Sequence, residues 1–133
     1  MKLTRASSYA LHAVAFMAAQ KHNKPVASHN IAEARVIPAR FLLKVLKPLV
    51  SARVLLSIKG PNGGYRLARQ PNEISMLEIL EAVDGPIRGQ APFTEDEMDG
   101  NLNHKLENIC KQNADQVRKQ LDKVRISDLI SRR

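Results

Sequence analysis

The stretch "VLLSIKGPNGGYRLAR" (residues 54–69) places a glycine-rich turn between two short apolar segments. The first segment has the leucine and β-branched content of a strand, and "YRLAR" (65–69) alternates apolar and polar side chains. The glycines and the asparagine between them tolerate positive φ. The stretch therefore predicts a β-hairpin with its turn at Pro61–Gly64.

A glycine-rich turn can also cradle a nucleotide phosphate, but the surrounding residues argue against that function. The spacing GxxxxGK[ST] is absent, because Lys59 precedes the glycines and no helix follows them. The tip of the predicted hairpin carries Lys59 and Arg66 beside a backbone with few side chains, so a phosphate or a groove wall can approach it closely.

The residues before the hairpin predict a helix-turn-helix. Ser28 is the expected N-cap of a short helix through Ala34, with Ile31, Ala32 and Val36 available for burial. Pro38 suits the first turn of a second helix, and Pro48 should kink or end that helix near Lys47. The second helix has an apolar stripe on one side (Phe41, Leu42, Val45, Leu46, Leu49) and cations on the other (Arg40, Lys44, Lys47). A hairpin directly after this motif is a wing.

Charge divides the chain into two halves. Of the 133 residues, the first 70 contain twelve Lys or Arg and one acid, a net charge of +11, whereas the rest sum to −3. Confinement of the cations to the half with the helix-turn-helix indicates a polyanionic partner. Aromatic residues make up only 4%, which argues against single-strand binding by base stacking.

The amino terminus could be taken for a signal peptide, since Lys2 and Arg5 precede an apolar run at 9–19. The run is interrupted by His12 and is far shorter than the ~20 residues that span a bilayer. We therefore expect a first helix over 3–19 in the core, with His12 in that core, and no membrane association. The single cysteine, Cys110, fits a cytoplasmic location.

The second half predicts a helix, a loop and a long helix. Ser75 and Glu78 have the spacing of a capping box, and residues 84–89 end the helix that follows. Residues 90–104 have little periodicity and predict a mobile acidic loop. The resulting fold is mainly α with a small β-hairpin: a winged helix-turn-helix (1–84), a flexible loop (85–104), and a dimerisation helix with a tail (105–133).

The long helix, over about 105–125, has a narrow seam at steps of three and four residues. Five of its residues are the predicted dimer contacts: Leu106, Cys110, Val117, Leu121 and Val124; Asn113 also lies on the seam. A narrow seam favours a helical partner, and the same helix of a second copy is a good candidate. The alternative is that the helix packs back on its own domain. Ser127 is the expected cap of a last short helix.

Four segments together resemble the Rrf-two family of bacterial winged-helix regulators: "MKLTRASSYALHAV" (1–14), "GPNGGYRLAR" (60–69), "ISMLEILEAVDGP" (74–86) and "ISDL" (126–129). The resemblance implies a homodimer on palindromic double-stranded DNA, with the second helix of the motif in the major groove and the wing in the minor groove. The expected DNA contacts are Ser28, Arg40, Phe41, Lys44, Lys47, Lys59, Gly60, Asn62, Gly63 and Arg66. Two departures affect the wing: Lys59 replaces the usual arginine, and Arg53 a common glycine.

The chain differs most from the family that it resembles in its candidate metal ligands. Cluster-binding members carry three cysteines after the fourth helix, whereas this chain has only Cys110. Asp96, Glu97, Asp99 and His104 are hard or scattered ligands poorly suited to an iron–sulfur cluster. We therefore expect no cofactor and no metal. Cys110 is either a small apolar residue of the seam or a redox-sensing thiolate.

The sequence predicts a non-catalytic transcriptional regulator, a repressor, without an iron–sulfur cluster. No nucleophile–base set or carboxylate pair is visible, which argues against an enzyme. A small molecule or a protein partner is the expected effector, acting on residues 86–104. The alternative function is an RNA-binding or ribosome-associated basic winged-helix module.

Overall fold

The computed structural model describes residues 1–91 and 100–131 and confirms the predicted fold class. Six α-helices and one two-stranded antiparallel sheet are described within those ranges. In chain order they are α1 (Arg5–Ala18), α2 (Ser28–Arg35), α3 (Ala39–Ser51), β1 (Leu55–Ile58), β2 (Gly64–Leu67), α4 (Met76–Asp84), α5 (Gly100–Lys123) and α6 (Ile126–Ile130), with a 3-10 turn at Pro71–Glu73 before α4.

Helix α1 lies in the middle of the core. Ala10, Ala13 and Val14 are fully buried, and these small side chains let α2, α3, α4 and α6 pack closely around them. Thr4 caps the helix by accepting the Ser7 N–H at 3.0 Å. The predicted burial of His12 is wrong: its ring is exposed, and Nδ1 contacts the guanidinium of Arg35 on α2.

The turn between α2 and α3 differs from the prediction by one residue. Ser28 is the first helical residue rather than the cap, because Ala27 occupies the capping position. Val36 ends α2 in the left-handed conformation (φ 54°) and is 88% exposed, so its predicted burial is wrong. Ile37 is buried instead, since its N–H returns to the Ala32 carbonyl at 2.9 Å and turns its side chain inward.

Helix α3 does not stop at Pro48, so that part of the prediction is wrong, whereas a kink there stays a prediction. Helix α3 continues to Ser51, and the Pro48 carbonyl accepts the Ala52 N–H at 2.9 Å. Pro48 removes one backbone hydrogen bond, yet Leu46 and Leu49 on either side of it are fully buried. Their burial opposes the local cost of the proline, which is about 3 kcal/mol in an unsupported helix.

The hairpin has the predicted form. Leu55 pairs with Leu67 and Ile58 with Gly64, and the Gly60 carbonyl accepts the Gly63 N–H at 3.0 Å across the turn. A side chain at position 63 would overlap the Ile58 carbonyl, so only glycine fits there. Val26 adds a third, one-residue strand through two hydrogen bonds of 2.8 Å with Tyr65.

Helices α4 and α6 carry the remaining caps. The predicted box of Ser75 and Glu78 is present at the start of α4. At α6, however, the cap is Arg125 rather than Ser127, because the Asp128 carboxylate accepts the Arg125 N–H at 2.9 Å. Ile126 anchors α6 in the core with no exposed surface.

Helix α5 begins at Gly100, five residues before the expected start. The predicted mobile loop therefore ends earlier, and residues 92–99 lie outside the described residues. Glu81 of α4 contacts the chain on both sides of this gap. Its carboxylate accepts the Ile87 N–H at 2.8 Å and pairs with Arg118 of α5.

Candidate nucleic-acid interface

The outward face of α3 is a cationic surface. Arg40, Lys44 and Lys47 are all exposed, at spacings of four and three residues that place them on one side of the helix. None of the three forms an ion pair with an acidic side chain in residues 1–91 or 100–131. Because the opposite side of α3 is buried in the core, these three charges point away from the domain.

Phe41 is not part of the buried stripe that the sequence predicts, since it is 46% exposed. Its ring meets that of Tyr9 on α1 edge to face, with centroids 6.2 Å apart and planes at 68°. The ammonium of Lys44 lies 5.7 Å from the Phe41 centroid, a cation–π distance. Phe41 thus joins the start of α3 to α1 and holds the Lys44 side chain over the exposed surface.

The tip of the wing carries fewer charges than predicted. Lys59, Gly60 and Asn62 are exposed in the turn, and Gly63 is half-buried beneath them. Arg66 does not lie at the tip, because it sits inside β2 opposite Leu56 and is half-buried. Lys59 is therefore the one cation in the turn among the described residues of the hairpin.

Arg69 fixes the root of the wing to the end of α3, a contact that the sequence did not reveal. Its Nε donates to the Arg53 carbonyl at 3.2 Å, just past α3, and Nη1 donates to the Glu73 carbonyl at 3.1 Å. The same guanidinium pairs with both carboxylate oxygens of Glu78 at the start of α4. The left-handed Arg53 (φ 61°) therefore presents its carbonyl to the wing without the glycine that the resemblance suggests.

The contact between Arg69 and Glu78 shifts the pKa values of both side chains. Burial acts to raise the pKa of Glu78, but hydrogen bonds from Arg69 and from the Ser75 N–H outweigh it, and the pKa lies below its usual value. The Arg69 pKa is raised by the same hydrogen bond to Glu78, against a smaller opposing effect of burial. Both groups therefore stay charged at neutral pH.

Leu43 also lies on the outward face of α3, although it is not among the contacts predicted from the sequence. Leu43 is 51% exposed, and it lies three residues after Arg40 and four before Lys47. An apolar side chain at the centre of a cationic helix face is suited to contact a thymine methyl group in the major groove. The spacing of Leu43 from the cations could have identified it as an outward residue. The adjacent Leu42 is buried in the core, and two consecutive leucines do not show by residue type which one faces outward.

The predicted seam of α5 divides into two parts. Leu121 packs against the core cluster, and Val124 follows the end of the helix, where its carbonyl accepts the Met76 N–H at 2.8 Å. Val117 and Cys110 are half-buried, and the loop backbone at Gly89 lies against that of Cys110. This side of α5 faces its own domain, as in the alternative interpretation, whereas Leu106 remains 43% exposed.

A second stripe of α5, which shares Leu106 and Asn113 with the predicted seam, faces outward. Leu102, Leu106 and Ile109 are 50%, 43% and 54% exposed. Steps of four and three residues continue the same stripe through exposed amides: Asn113, Gln116 and Gln120. This alternation is the heptad spacing of a coiled-coil seam, and the stripe contains no charge in a chain of which 26% is charged.

In residues 1–91 and 100–131, no three His, Cys, Asp or Glu side chains come together in a possible metal site. Asp96, Glu97 and Asp99 lie outside the described residues, so they are not tested. No described helix is both long and apolar enough to cross a membrane.

Known proteins resemble the chain over most of its length. Residues 3–132 match the family Rrf2, described as "Iron-dependent Transcriptional regulator". A putative HTH-type transcriptional regulator of Mycobacterium tuberculosis is 34% identical over 87 residues, which cover 65% of this chain and 54% of that protein. The regulator IscR of Aliivibrio salmonicida is 36% identical over 84 residues, covering 63% and 50%. The chain spans about half the length of these curated relatives.

Solved structures share the fold. The structure of CymR, described as the global cysteine regulator of B. subtilis, superposes with a TM-score of 0.75 at 25% identity and covers 98% of this chain and 96% of that one. A putative transcriptional regulator from Listeria innocua gives a TM-score of 0.77 at 26% identity, covering 98% and 86%. The relatives are transcriptional regulators rather than enzymes, which confirms the prediction of a non-catalytic protein. The chain belongs to the Rrf2 family of transcriptional regulators, the Rrf-two family that its sequence resembles.

Proposed function

We propose that this protein is a sequence-specific DNA-binding repressor that acts as a homodimer on palindromic operators. The observation that carries the proposal is the exposed cation set of Arg40, Lys44 and Lys47 on the outward face of α3, which forms no ion pair with an acid of residues 1–91 or 100–131. The second helix of a helix-turn-helix enters the major groove, where such side chains reach base edges and phosphates.

The wing and α2 supply the flanking contacts. The exposed turn at 59–63 has the slender backbone that enters a minor groove, with Lys59 as its charge. Helix α2 starts without a side-chain cap, so the N–H groups near Ser28 can bind a phosphate. Phe41 positions Lys44 through the contact described above. Arg66, placed inside β2, is not part of this DNA surface in our proposal.

The homodimer is proposed to form through the outward stripe of α5 rather than through the seam predicted from the sequence. Leu102, Leu106 and Ile109 leave apolar surface exposed on a helix whose opposite side already packs on α4. A second copy of α5 presents the same heptad pattern and can bury that surface symmetrically. Two wings and two recognition helices would then address half-sites about one helical turn apart.

The residues of this chain do not fit the iron–sulfur cluster of related regulators. Such clusters are held mainly by cysteine thiolates, and Cys110 is the one cysteine in the sequence. It is half-buried on the side of α5 that faces its own domain. We therefore propose regulation without a cluster, and no step of the mechanism depends on iron.

Selection of bound fragments from random duplex DNA tests the function. We expect the selection to enrich an inverted repeat. At equal salt, this duplex should bind the protein more tightly than structured RNA does. Arg40→Ala and Lys44→Ala should each weaken binding to the selected site by about 1–3 kcal/mol more than binding to random duplex. Lys59→Ala should weaken both equally and flatten the salt dependence.

Two outcomes would contradict this function. Preferential binding to structured RNA would favour the ribosome-associated alternative. Equal losses on selected and random DNA for Arg40→Ala and Lys44→Ala would mean that α3 does not read bases. Lys119→Ala, an exposed cation on α5 far from the helix-turn-helix, is the matched control and should leave the selectivity between the two duplexes unchanged.

Sedimentation of two neighbouring α5 variants tests the dimer. Ile109→Asp puts a charge in the outward stripe, whereas Asn108→Asp puts the same charge on an exposed position beside it. We expect Ile109→Asp to sediment as a monomer at micromolar concentration and Asn108→Asp to remain dimeric. A monomeric wild type, or equal behaviour of the two variants, would contradict the proposed interface.

A further inference from the structure

A polar cleft lies behind the wing, between the loop that joins α1 to α2 and the strand β2. Its volume is about 630 Å³, within the range of small-molecule sites. Met17 and Ala18 at the end of α1 form one wall, and residues 65–71 form the other. No residue of α3 and none of the turn at 59–63 is among the described residues that line it. The cleft is therefore separate from the proposed DNA surface.

The charge of the cleft is strongly positive. Its ionisable lining consists of Lys21, His22, Lys24, Arg66, Arg69 and a single acid, Glu73. Arg69 is already neutralised by Glu78, outside the cleft. Lys21, Lys24 and Arg66 have no ion-pair partner among the described part of the chain. Three uncompensated cations around one concave space favour an anionic occupant.

Arg66 adds an observation that surface charge alone does not explain. Its Nε is buried from solvent, yet no described acceptor receives its hydrogen bond. Leaving a buried donor unpaired costs about 1–3 kcal/mol, and more for a charged group. A guanidinium binds oxyanions through two parallel hydrogen bonds, so Arg66, which lines the cleft, is suited to an anion once its side chain turns toward the open space.

The loop side of the cleft is ordered rather than a loose arm of lysines. The His22 Nδ1 accepts the Lys24 N–H at 3.1 Å, which folds the loop on itself between the two lysines. Two residues further on, Val26 is hydrogen-bonded to Tyr65 of β2. The two walls are therefore joined at one end, and the lysines are held on the side opposite Arg66.

We propose that this cleft binds a small oxyanion with two or more negative charges, such as a polycarboxylate or a phosphorylated metabolite. The oxyanion pairs with Arg66 on the strand side and with Lys21 and Lys24 on the loop side. It thereby joins the loop at 20–24 to the wing strand and stabilises the fold. A free ligand is favoured over a DNA phosphate because the cleft shares no described lining residue with α3 or with the wing turn.

The experiment uses the full chain without DNA and takes citrate and inorganic phosphate as probes. Thermal unfolding is followed at increasing citrate or phosphate, against sodium chloride of equal ionic strength, and calorimetric titration gives the stoichiometry. We expect citrate to raise the melting temperature beyond the chloride control, with one site per chain. Lys24→Gln and Arg66→Gln should each weaken citrate binding about tenfold, as expected for loss of one charge-assisted hydrogen bond.

Lys119→Gln, an exposed cation on α5, is the control and should bind citrate like the wild type. Equal weakening in all three variants, or no stabilisation beyond chloride, would overturn the proposal by reducing it to general screening. If Arg66→Gln does not fold, the exposed Lys24 decides the test. A titration with a saturating DNA duplex present distinguishes the source: loss of citrate binding would assign the cleft to the DNA backbone and overturn the proposal.

Discussion

Helices α3 and α5 are both amphipathic, but they bury their apolar sides to very different extents. On α3, Leu42, Val45, Leu46 and Leu49 are at most 3% exposed. On α5, which is almost twice as long, Asn103 is the one buried residue among those described. The apolar side of α3 is thus satisfied within one chain, and its other face is free for DNA. The apolar stripe of α5 faces outward and needs a second surface.

The two helices also differ in how they are attached to α4. The end of α3 is held through Arg69, which contacts the Arg53 carbonyl, the Glu73 carbonyl and Glu78 together. Among the described residues, the pair of Arg118 with Glu81 connects α5 to α4, besides apolar contacts. The end of α3, proposed to bind DNA, is thus held by several hydrogen bonds, whereas α5, proposed to form the dimer, is attached by fewer polar contacts. This difference agrees with their proposed functions.

The largest expected effect separates the two kinds of burial. Leu46→Ala on α3 should lower the free energy of unfolding by about 2–5 kcal/mol, because a fully buried side chain leaves a cavity. Leu106→Ala on α5 should change it by less than about 0.5 kcal/mol when the chain is monomeric. Denaturant unfolding at low concentration measures both. Equal losses would mean that α5 packs on its own domain along both sides.

The next effect tests the two attachments to α4. Arg69→Gln should lower the free energy of unfolding by about 1–3 kcal/mol, since the Arg53 and Glu73 carbonyls and Glu78 lose their donor. Arg118→Gln loses one partly exposed pair and should cost less than about 1 kcal/mol. A larger loss for Arg118→Gln would reverse the comparison.

The same pair predicts a pH dependence. The lowered pKa of Glu78 means that its stabilising contribution is present above the usual glutamate pKa and is lost as the pH falls through the folded-state value. The difference in stability between the wild type and Arg69→Gln should therefore shrink below about pH 4. The measurement is urea unfolding of both proteins from about pH 7 down to about pH 3, across the usual glutamate pKa. A constant difference would contradict the assigned interaction.

Local signals in the sequence predicted the helix-turn-helix, the hairpin and the capping box of α4. These elements depend on residues close in the chain, such as the glycine turn at 60–64 and the pair Ser75 and Glu78. The prediction for Val36 failed because a left-handed residue at the end of α2 shifts burial by one position to Ile37. Periodicity alone does not show where such a residue interrupts the helical phase.

The remaining failures come from packing between distant segments. The seam of α5 was assigned to the side with Val117 and Leu121, but that side faces α4 and the core, which only the folded chain reveals. Arg66 was assigned to the wing tip because it follows the turn closely in the sequence, but it pairs with Leu56 inside the sheet. The Arg69 contacts join residues 4 to 16 positions apart and leave no periodic signal.

A smaller effect contrasts the exposed apolar residues of the two helices. Leu43 on α3 and Ile109 on α5 are exposed to similar extents. If Leu43 contacts a thymine methyl, replacing one operator thymine by deoxyuridine should weaken wild-type binding by about 1 kcal/mol, and binding by Leu43→Ala should be insensitive to it. Ile109→Ala should retain the thymine preference. If replacement of each operator thymine by deoxyuridine in turn leaves binding unchanged, this contact is excluded.

The smallest effect concerns Arg53, the left-handed residue after α3. A side chain in this conformation costs about 1–2 kcal/mol, whereas glycine adopts it freely. Arg53→Gly keeps the carbonyl that Arg69 contacts, and the Arg53 side chain is exposed. Against the relieved strain stands the greater entropy of glycine in the unfolded chain, about 0.4–1 kcal/mol. We expect a net gain in unfolding free energy of about 0.5–1 kcal/mol, measured by urea unfolding.

Val36→Gly, before α3, sharpens this prediction because the two residues differ in side-chain shape. Valine is β-branched and is less tolerant of positive φ than arginine, so its replacement should stabilise the fold by at least as much. Arg53→Ala and Val36→Ala retain a Cβ and should gain less than the glycine variants. A loss of stability in both glycine variants would mean that their side chains make contacts that outweigh the backbone strain at the two ends of α3.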